Sequence, residues 1–425
     1  MVINDRGDVY MFLLFMMFFT LMLPLAVILY ARLVSPHKLS LKWRLIWGTV
    51  IAIVCVGVSL ALPFSLKLSR DPVVYDQYHL GVILPWMYYL LTFVCLILFW
   101  VIGRDLLWVF VKVARFFRQR SAAKKSSDGV ESGESGELVS ASRRAFLKRV
   151  STAVTVGGAV LSTPAAVYCA KRRRVVRHFD IPLSRLPEAA DGFRIVHLSD
   201  IHVGNTIFEE DIADIVAETN HLNPDMIVIT GDMADGLPEH IGSWLNPMRE
   251  FRAKHGVWFV TGNHDHMWNA QGWIEVIREL GIRVLDNEHA LIQVNGAEIA
   301  VAGAIDARGD RRKRSWRSNP ERALSGIDPG IFKLMLVHQP SSVDRCFSAG
   351  ANLVLLGHTH GGQCWPLTYL IEAMHKYSRW LYMRSDGNAA FVSCGTGYWG
   401  PPLRIGVPPE IDVLTLHFEK KDKIA

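Results

Sequence analysis

Five short apolar runs in the C-terminal half of the chain each lead directly into side chains that can bind a metal or move a proton. After FRIVHLS come Asp200 and His202. After MIVIT come Asp232 and, three residues on, Asp235. VWFVT is followed by Asn263, His264 and Asp265, LMLV by His338, and LVLL by His358 and His360. A lone Asp or His in a loop is ordinarily a helix cap or a surface residue. Asp200, His202, Asp232, Asn263, His338, His358 and His360 together are different. They amount to two carboxylates, one amide and four imidazoles, the ligand chemistry of hard-to-borderline divalent cations. Asp200 and His202 are two apart, so on extended chain both point to one side; His358 and His360 repeat the spacing. Gly231, Gly262 and Gly357 precede ligands and permit tight turns beside them. Eight ligand positions from seven side chains require one carboxylate to bridge two ions, and Asp232, on the middle strand, is the natural candidate.

Such residues meet only if their strands share an edge, and the intervening sequence provides for that. Phe193–Ser199, Met226–Thr230 and Val257–Thr261 read as strands, alternating with helices over Glu209–His221, Ile241–Lys254 and Trp273–Leu280. MIVIT, apolar on both faces, suits the inside of a parallel sheet. Ala290–Val294 and Glu298–Ala302 flank Asn295-Gly296, a hairpin signal that opens a second, partly antiparallel sheet. Later strands read at Leu334–Val337, Leu353–Leu356, Ala389–Ser393 and Ile411–Leu416. The expected fold is α/β, with two sheets packed face to face and helices outside.

In this order the motifs LSDIHVG, TGDMAD, TGNHD, LVHQP and LGHTHGGQ resemble the calcineurin-like metallophosphoesterase superfamily over about Phe193 to Leu416. With the tail carrying Arg404, Gly406 and Pro408-Pro409-Glu410, they look most like its twin-arginine-exported bacterial branch. The resemblance implies a four-layer sandwich and a phosphoesterase using two divalent ions (Mn, Zn, Fe or Mg), with a metal-bridging hydroxide as nucleophile. It implies Asp200, His202, Asp232 and His360 around one ion, and Asp232, Asn263, His338 and His358 around the other. His264 would stand at the leaving-group oxygen as acid or charge stabiliser, oriented by Asp235. Asp265 reads as a structural cap. A sensor or scaffold that binds a ligand without turnover is the alternative, and such relatives would be expected to lose metal or acid residues. None is missing here.

The first 170 residues hold most of the apolar excess in a chain of 425 residues that is 50% hydrophobic. Tyr10–Leu33, Leu45–Phe64 and Leu80–Ile102 each meet the roughly 18 to 20 apolar residues that cross a bilayer. Trp43, Trp47, Trp86 and Trp100 lie near their ends, as an aromatic belt would. Residues 1–118 thus read as a three-helix membrane region and 119–149, rich in Ser, Gly, Glu and Lys, as a flexible linker. Within the linker, Ser142-Arg143-Arg144-Ala145-Phe146-Leu147-Lys148 looks like a twin-arginine export signal. Residues 150–170 form a fourth span or signal anchor, and 177–425 the catalytic domain. Basic residues concentrate in the first loop and after the third run, which places the N-terminus and the catalytic domain outside. The expected setting is a bacterial inner membrane, multi-pass, with a periplasmic or extracellular catalytic domain. Lys171-Arg172-Arg173-Arg174 runs against that charge bias.

The net charge of +6 follows from the juxtamembrane clusters, and no nucleic-acid-binding module is present. Six cysteines without paired spacing exclude a disulfide scaffold and a zinc finger. Two stretches could select the substrate. Asp306–Arg322 carries Arg308, Arg311, Arg312, Lys313, Arg314 and Arg317 around Trp316, and reads as a solvated loop or an anion grip. Trp365–Met383 carries Trp365, Tyr369, Tyr377, Trp380 and Tyr382, and reads as packed aromatics or as an amphipathic flap that reaches lipid. The substrate expected is a phosphoester, a phosphodiester before a monoester, with a lipid-linked or cell-envelope phosphate favoured by the membrane setting.

Overall fold

The computed structural model describes residues 24–37, 39–68, 80–123, 135–172, 174–309 and 316–419. Most of the first apolar run, residues 124–134 of the expected linker and residues 310–315 of the basic stretch lie outside them. The chain divides into two units, one holding most of the long helices and the other beginning near residue 166.

In the first unit, α1 (Leu41–Leu68), α2 (Leu80–Ala123) and α3 (Ser135–Arg172) are the long helices, preceded by a shorter apolar helix, Pro24–Val34. Arg32 pairs with Asp105 at 2.8 Å and His37 meets Thr152 Oγ1 at 2.9 Å, so polar groups join the helices. Two described helices, over Val82–Arg118 and Ala145–Arg172, are long and apolar enough to cross a membrane, against the four spans expected. The twin-arginine-like residues do not lie in a flexible linker. They are inside α3, which begins at Ser135 and runs unbroken through the apolar segment. From Ala141 to Arg149 seven of nine residues are Ala, Leu, Arg or Lys, all good helix formers.

The second unit is built on two six-stranded sheets. Its strands are β1 (Val175–Leu183), β2 (Phe193–Leu198), β3 (Met226–Thr230), β4 (Val257–Val260), β5 (Arg283–Val284), β6 (Glu288–Val294), β7 (Ala297–Gly303), β8 (Phe332–Leu336), β9 (Leu353–Leu356), β10 (Trp380–Met383), β11 (Ala389–Val392) and β12 (Glu410–Phe418). One sheet has the order β1-β12-β2-β3-β4-β5, with β2 to β5 parallel and β12 antiparallel to β2. The other runs β10-β11-β9-β8-β7-β6, parallel in its middle and antiparallel at both edges. Ile195, Val228, Trp258 and Val260 of the first sheet share one buried core with Val301, Leu334, Leu355 and Phe391 of the second. The sheets therefore face each other. On the outer side of the second, Met335, Val354 and Leu356 pack against Val343, Cys346, Ala323 and Leu324 from helical segments.

Several elements differ from the sequence reading. The expected helix Ile241–Lys254 is one α-turn, Pro238–Ile241, followed by a 3-10 stretch, Gly242–Glu250. Pro247 lacks the amide that an α-helix needs there. β1, β5 and β10 stand where no strand was expected, and each lies at a sheet edge. Lys171 and Arg174 are not free positive charges. Lys171 pairs with Asp211 at 3.2 Å and Arg174 with Glu218 at 3.0 Å, both on α4 (Glu209–His221), and Arg172 meets Asp214 on the same helix.

Candidate metal centre

β2, β3 and β4 lie side by side and parallel, so their C-terminal ends open on one edge; β8 and β9 do the same in the facing sheet. That geometry brings six of the seven expected ligands, all but Asn263, into neighbouring groups together with His264. Asp200, His202 and His360 form one group whose ligand atoms lie within 4.8 Å of one another, and Asp232, His338 and His358 form a second. A third, His202, Asp232 and His264, overlaps both. Asp200 and Asp232 are buried, and each accepts a backbone amide: His358 N–H donates to Asp200 Oδ2 at 2.9 Å, His264 N–H to Asp232 Oδ1 at 2.8 Å.

The backbone here is unusual. Asp200, His202, Asp232, His358 and His360 all have φ between 50° and 73°, the left-handed region. For residues with a Cβ this costs about 1 kcal/mol or more each, and such strain collects where side chains must be aimed at a ligand. Glycine is obligatory beside them. A Cβ on Gly262 would collide with Asp232 Oδ1, and one on Gly357 with Ser199 Oγ and Asp200 Oδ2. Gly262→Ala is expected to displace the Asp232 carboxylate and lower both metal content and turnover. Elemental analysis of the purified variant alongside an assay checks this, and full metal content with normal turnover would contradict it.

The donors suit a cation. His338 Nδ1 donates to the Thr230 carbonyl at 2.7 Å, which leaves the Nε2 lone pair facing Asp232 Oδ2 at 3.1 Å and His358 Nδ1 at 3.2 Å. A lone pair beside a carboxylate calls for a proton or a metal between them. Burial would lower the His338 imidazole, but the Asp232 carboxylate outweighs it and holds the ring well above its ordinary value. Burial would raise Asp232 in turn, and His338, His264 and His202 reverse that and hold it well below the usual carboxylate range. Burial and then His338 push His358 down to about 4, so that ring is neutral and able to coordinate. His360 is lowered by burial and then by Arg404. Arg404 Nη2, a donor only, stands 3.0 Å from His360 Nδ1, while His360 Nε2 faces Asp200 Oδ1 at 3.3 Å. A cation at Nε2 would require that donor to turn wholly onto the Gly397 carbonyl, which it already contacts.

His264 and Asp235 meet as expected, with Nδ1 and Oδ1 2.5 Å apart. Burial lowers His264, but Asp235 and then Asp232 overcome it and raise the imidazole to about 9. Asp265 caps the short helix Asn263–Met267, accepting Gly262 N–H at 2.7 Å and Met233 N–H at 2.9 Å.

Sequence reasoning missed three supports. Asp235 Oδ2 also lies 3.2 Å from His202 Nδ1, so one carboxylate steadies both His264 and a candidate ligand. Its position is set by pairing of Val203–Gly204 with Ala234–Asp235, which joins the first two motifs. Gln339 Nε2 stands 3.3 Å from Asn263 Oδ1 and 2.9 Å from Asp306 Oδ1, fixing which Asn263 atom is the acceptor. Ser199 Oγ donates to Asp200 Oδ2 at 2.6 Å and is itself bonded by Thr230 Oγ1 at 2.8 Å. All three neighbour a motif residue in sequence, which was their only signal.

An imidazole–carboxylate pair beside overlapping clusters of metal-binding side chains, on a two-sheet α/β scaffold, defines a metal-dependent hydrolase. Residues 193–362 match the sequence profile of the calcineurin-like phosphoesterases. A transmembrane protein with a metallophosphoesterase domain from Danio rerio is 34% identical over 334 residues, covering 77% of this chain and 73% of that protein. A putative metallophosphoesterase of Caenorhabditis elegans is 34% identical, covering 59% of this chain and 54% of its own length. A transmembrane protein with a metallophosphoesterase domain from Bos taurus is 33% identical, with 56% of each chain covered. The chain thus spans just over half the length of the latter two relatives. It belongs to the calcineurin-like phosphoesterase family and is a metal-dependent phosphoester hydrolase.

Proposed function

We propose that the protein is a membrane-anchored phosphodiesterase with a dinuclear centre, in which Asp200, His202, Asp232 and His360 hold one ion and Asp232, Asn263, His338 and His358 the other. The observation that carries this is the pair of His/Asp groups, Asp200/His202/His360 and Asp232/His338/His358, joined where His202 Nε2 lies 3.8 Å from Asp232 Oδ2, with His264 held beside them by Asp235. When bound, the ions supply Lewis-acid charge on the phosphate and an activated water. The chain's own part is to hold the ligands in place, to offer the His264 proton at the leaving oxygen and to keep that proton there through Asp235. Mixed Asp, His and Asn donors suit Mn, Zn, Fe or Mg.

The membrane setting favours a lipid-linked or cell-envelope phosphodiester. The apolar runs at Tyr10–Leu33 and Leu45–Phe64 add two further spans in this reading, and the Arg143-Arg144 motif directs the catalytic domain to the outer face of a bacterial inner membrane. Pairing of Lys171, Arg172 and Arg174 with α4 supports it, since those charges are then neutralised within the domain. In detergent, the full chain loaded with Mn or Zn is expected to hydrolyse bis(p-nitrophenyl) phosphate faster than p-nitrophenyl phosphate. Preference for the monoester would remove the diester assignment. Turnover of neither by protein carrying two ions per chain would favour the ligand-binding sensor.

A further inference from the structure

The segment that follows the His358/His360 motif contains a helix turned the wrong way for a soluble surface. α5 (Ala270–Glu279), elsewhere in the domain, buries Trp273, Ile274 and Ile277, as a surface helix ordinarily does. α6 (Leu367–Met374, LTYLIEAM) buries only Thr368. Leu367, Tyr369, Leu370 and Met374 are 53% to 65% exposed, and the helix's one charge, Glu372, is taken up by Arg379. Trp365, just before the helix, is half exposed.

The strip continues toward the metal centre. Gln363 Nε2 donates to the Trp399 carbonyl and Trp399 N–H donates back to Gln363 Oε1, both at 3.0 Å, which holds exposed Trp399 next to this segment. The Trp399 ring stands edge-on to the His264 ring at 6.1 Å. Exposed apolar side chains thus run from Trp365 into α6, and Trp399 stands between Gln363 of the same segment and the His264 ring. The other exposed large apolar side chains described in this domain, Val176, Leu291 and Met383, lie on three separate strands, so the clustering is local to this strip. A local concentration of exposed apolar side chains of this kind marks a binding site.

We infer that α6, Trp365 and Trp399 form an apolar subsite for the hydrocarbon part of a phosphoester substrate that meets the metal centre from the bilayer surface. Three observations select a lipid as the occupant. The strip ends at His264, so a protein covering Trp399 would cover the reaction site as well. The apolar helix segment Ala145–Arg172 stops three residues before β1 at Val175, which keeps the domain within reach of the membrane it anchors in. Trp and Tyr among aliphatic side chains are the composition of surfaces that meet lipid at the headgroup level.

The inference rests on the phosphoesterase reading for the site, and binding of unreactive ligands separates the two. Methyl, butyl and octyl phosphonate are titrated calorimetrically into the full chain in nanodiscs, with metals bound. Affinity is expected to climb by about tenfold or more from methyl to octyl, since each methylene taken out of water adds to binding. In the double variant Leu370→Glu with Met374→Glu the climb should flatten while methyl phosphonate binding remains. A flat series in the unmodified protein overturns the subsite, as does a climb that survives the double variant. A double variant that changes oligomeric state while the series is unaltered would assign the strip to a contact between copies and equally overturn it. Failure of the protein to hydrolyse an aryl phosphodiester would count against the reaction assignment alone, because the phosphonate series is read without turnover.

Discussion

Asp232→Asn is expected to abolish turnover, because at least one ion no longer binds. The carboxylate belongs to the group with His338 and His358, approaches His202 Nε2 of the other group at 3.8 Å, accepts the His264 amide at 2.8 Å and faces His338 Nε2 at 3.1 Å. An amide of the same shape keeps one acceptor and loses the charge. Two unit charges about 4 Å apart attract by about 4 kcal/mol at an effective dielectric constant near 20, and a divalent ion doubles that. Even if desolvation cancels half, the loss corresponds to binding weaker by about a thousandfold. Elemental analysis should find fewer ions per chain than in the unmodified protein, and excess metal should restore little activity. Near-normal turnover with a full complement of ions would remove the bridging role. The prediction is specific to Asp232: Asp265, equally buried and close by, spends both oxygens on backbone amides, and its loss would loosen a loop before it emptied a site.

That Asp232 could be singled out from sequence reflects how parallel sheets work. Apolar runs such as MIVIT and LVLL have no polar positions to confuse the strand assignment, and whatever follows each run is delivered to a common edge. The candidate metal ligands are therefore the residues whose places were legible. Parts fixed by distant partners were not. β1 reads VVRHFDIPL, with charges, a His and a Pro, and is a strand because it lies along β12 more than two hundred residues later, Val175 beside Glu410. β10 exists because Trp380 to Met383 finds β11 as an edge partner. The second contact of Asp235, to His202, depends on a two-residue ribbon too short to leave a pattern. The Trp365–Met383 stretch was open between packed aromatics and an exposed flap. Tyr377 and Tyr382 pack edge to face, as the first of these has it, while α6 ahead of them is exposed.

His264→Ala separates holding the metals from moving the proton. The ring is tied to Asp235 at 2.5 Å and lies edge-on to His202 at 4.8 Å between ring centres, so it reaches the rim of the clusters without belonging to the Asp200/His202/His360 group or the Asp232/His338/His358 group. Its removal should leave metal content nearly unchanged and lower turnover by about 10² to 10⁴-fold, the range for a lost acid–base group. The size of the loss should depend on the leaving group. A p-nitrophenolate departs without a proton, so an aryl diester should suffer least; an alkoxide needs one, so an alkyl diester should suffer most. Rates for aryl and alkyl diesters with the same non-leaving half, measured in both proteins, test this. An equal loss for both would assign His264 to charge stabilisation of the phosphate in place of proton donation. Loss of both ions would instead make it a ligand, in line with the third group of side chains it forms with His202 and Asp232. Asp235→Asn provides the companion measurement. It keeps the imidazole but removes the carboxylate that fixes the proton on Nδ1, so it should show the same leaving-group dependence at smaller amplitude.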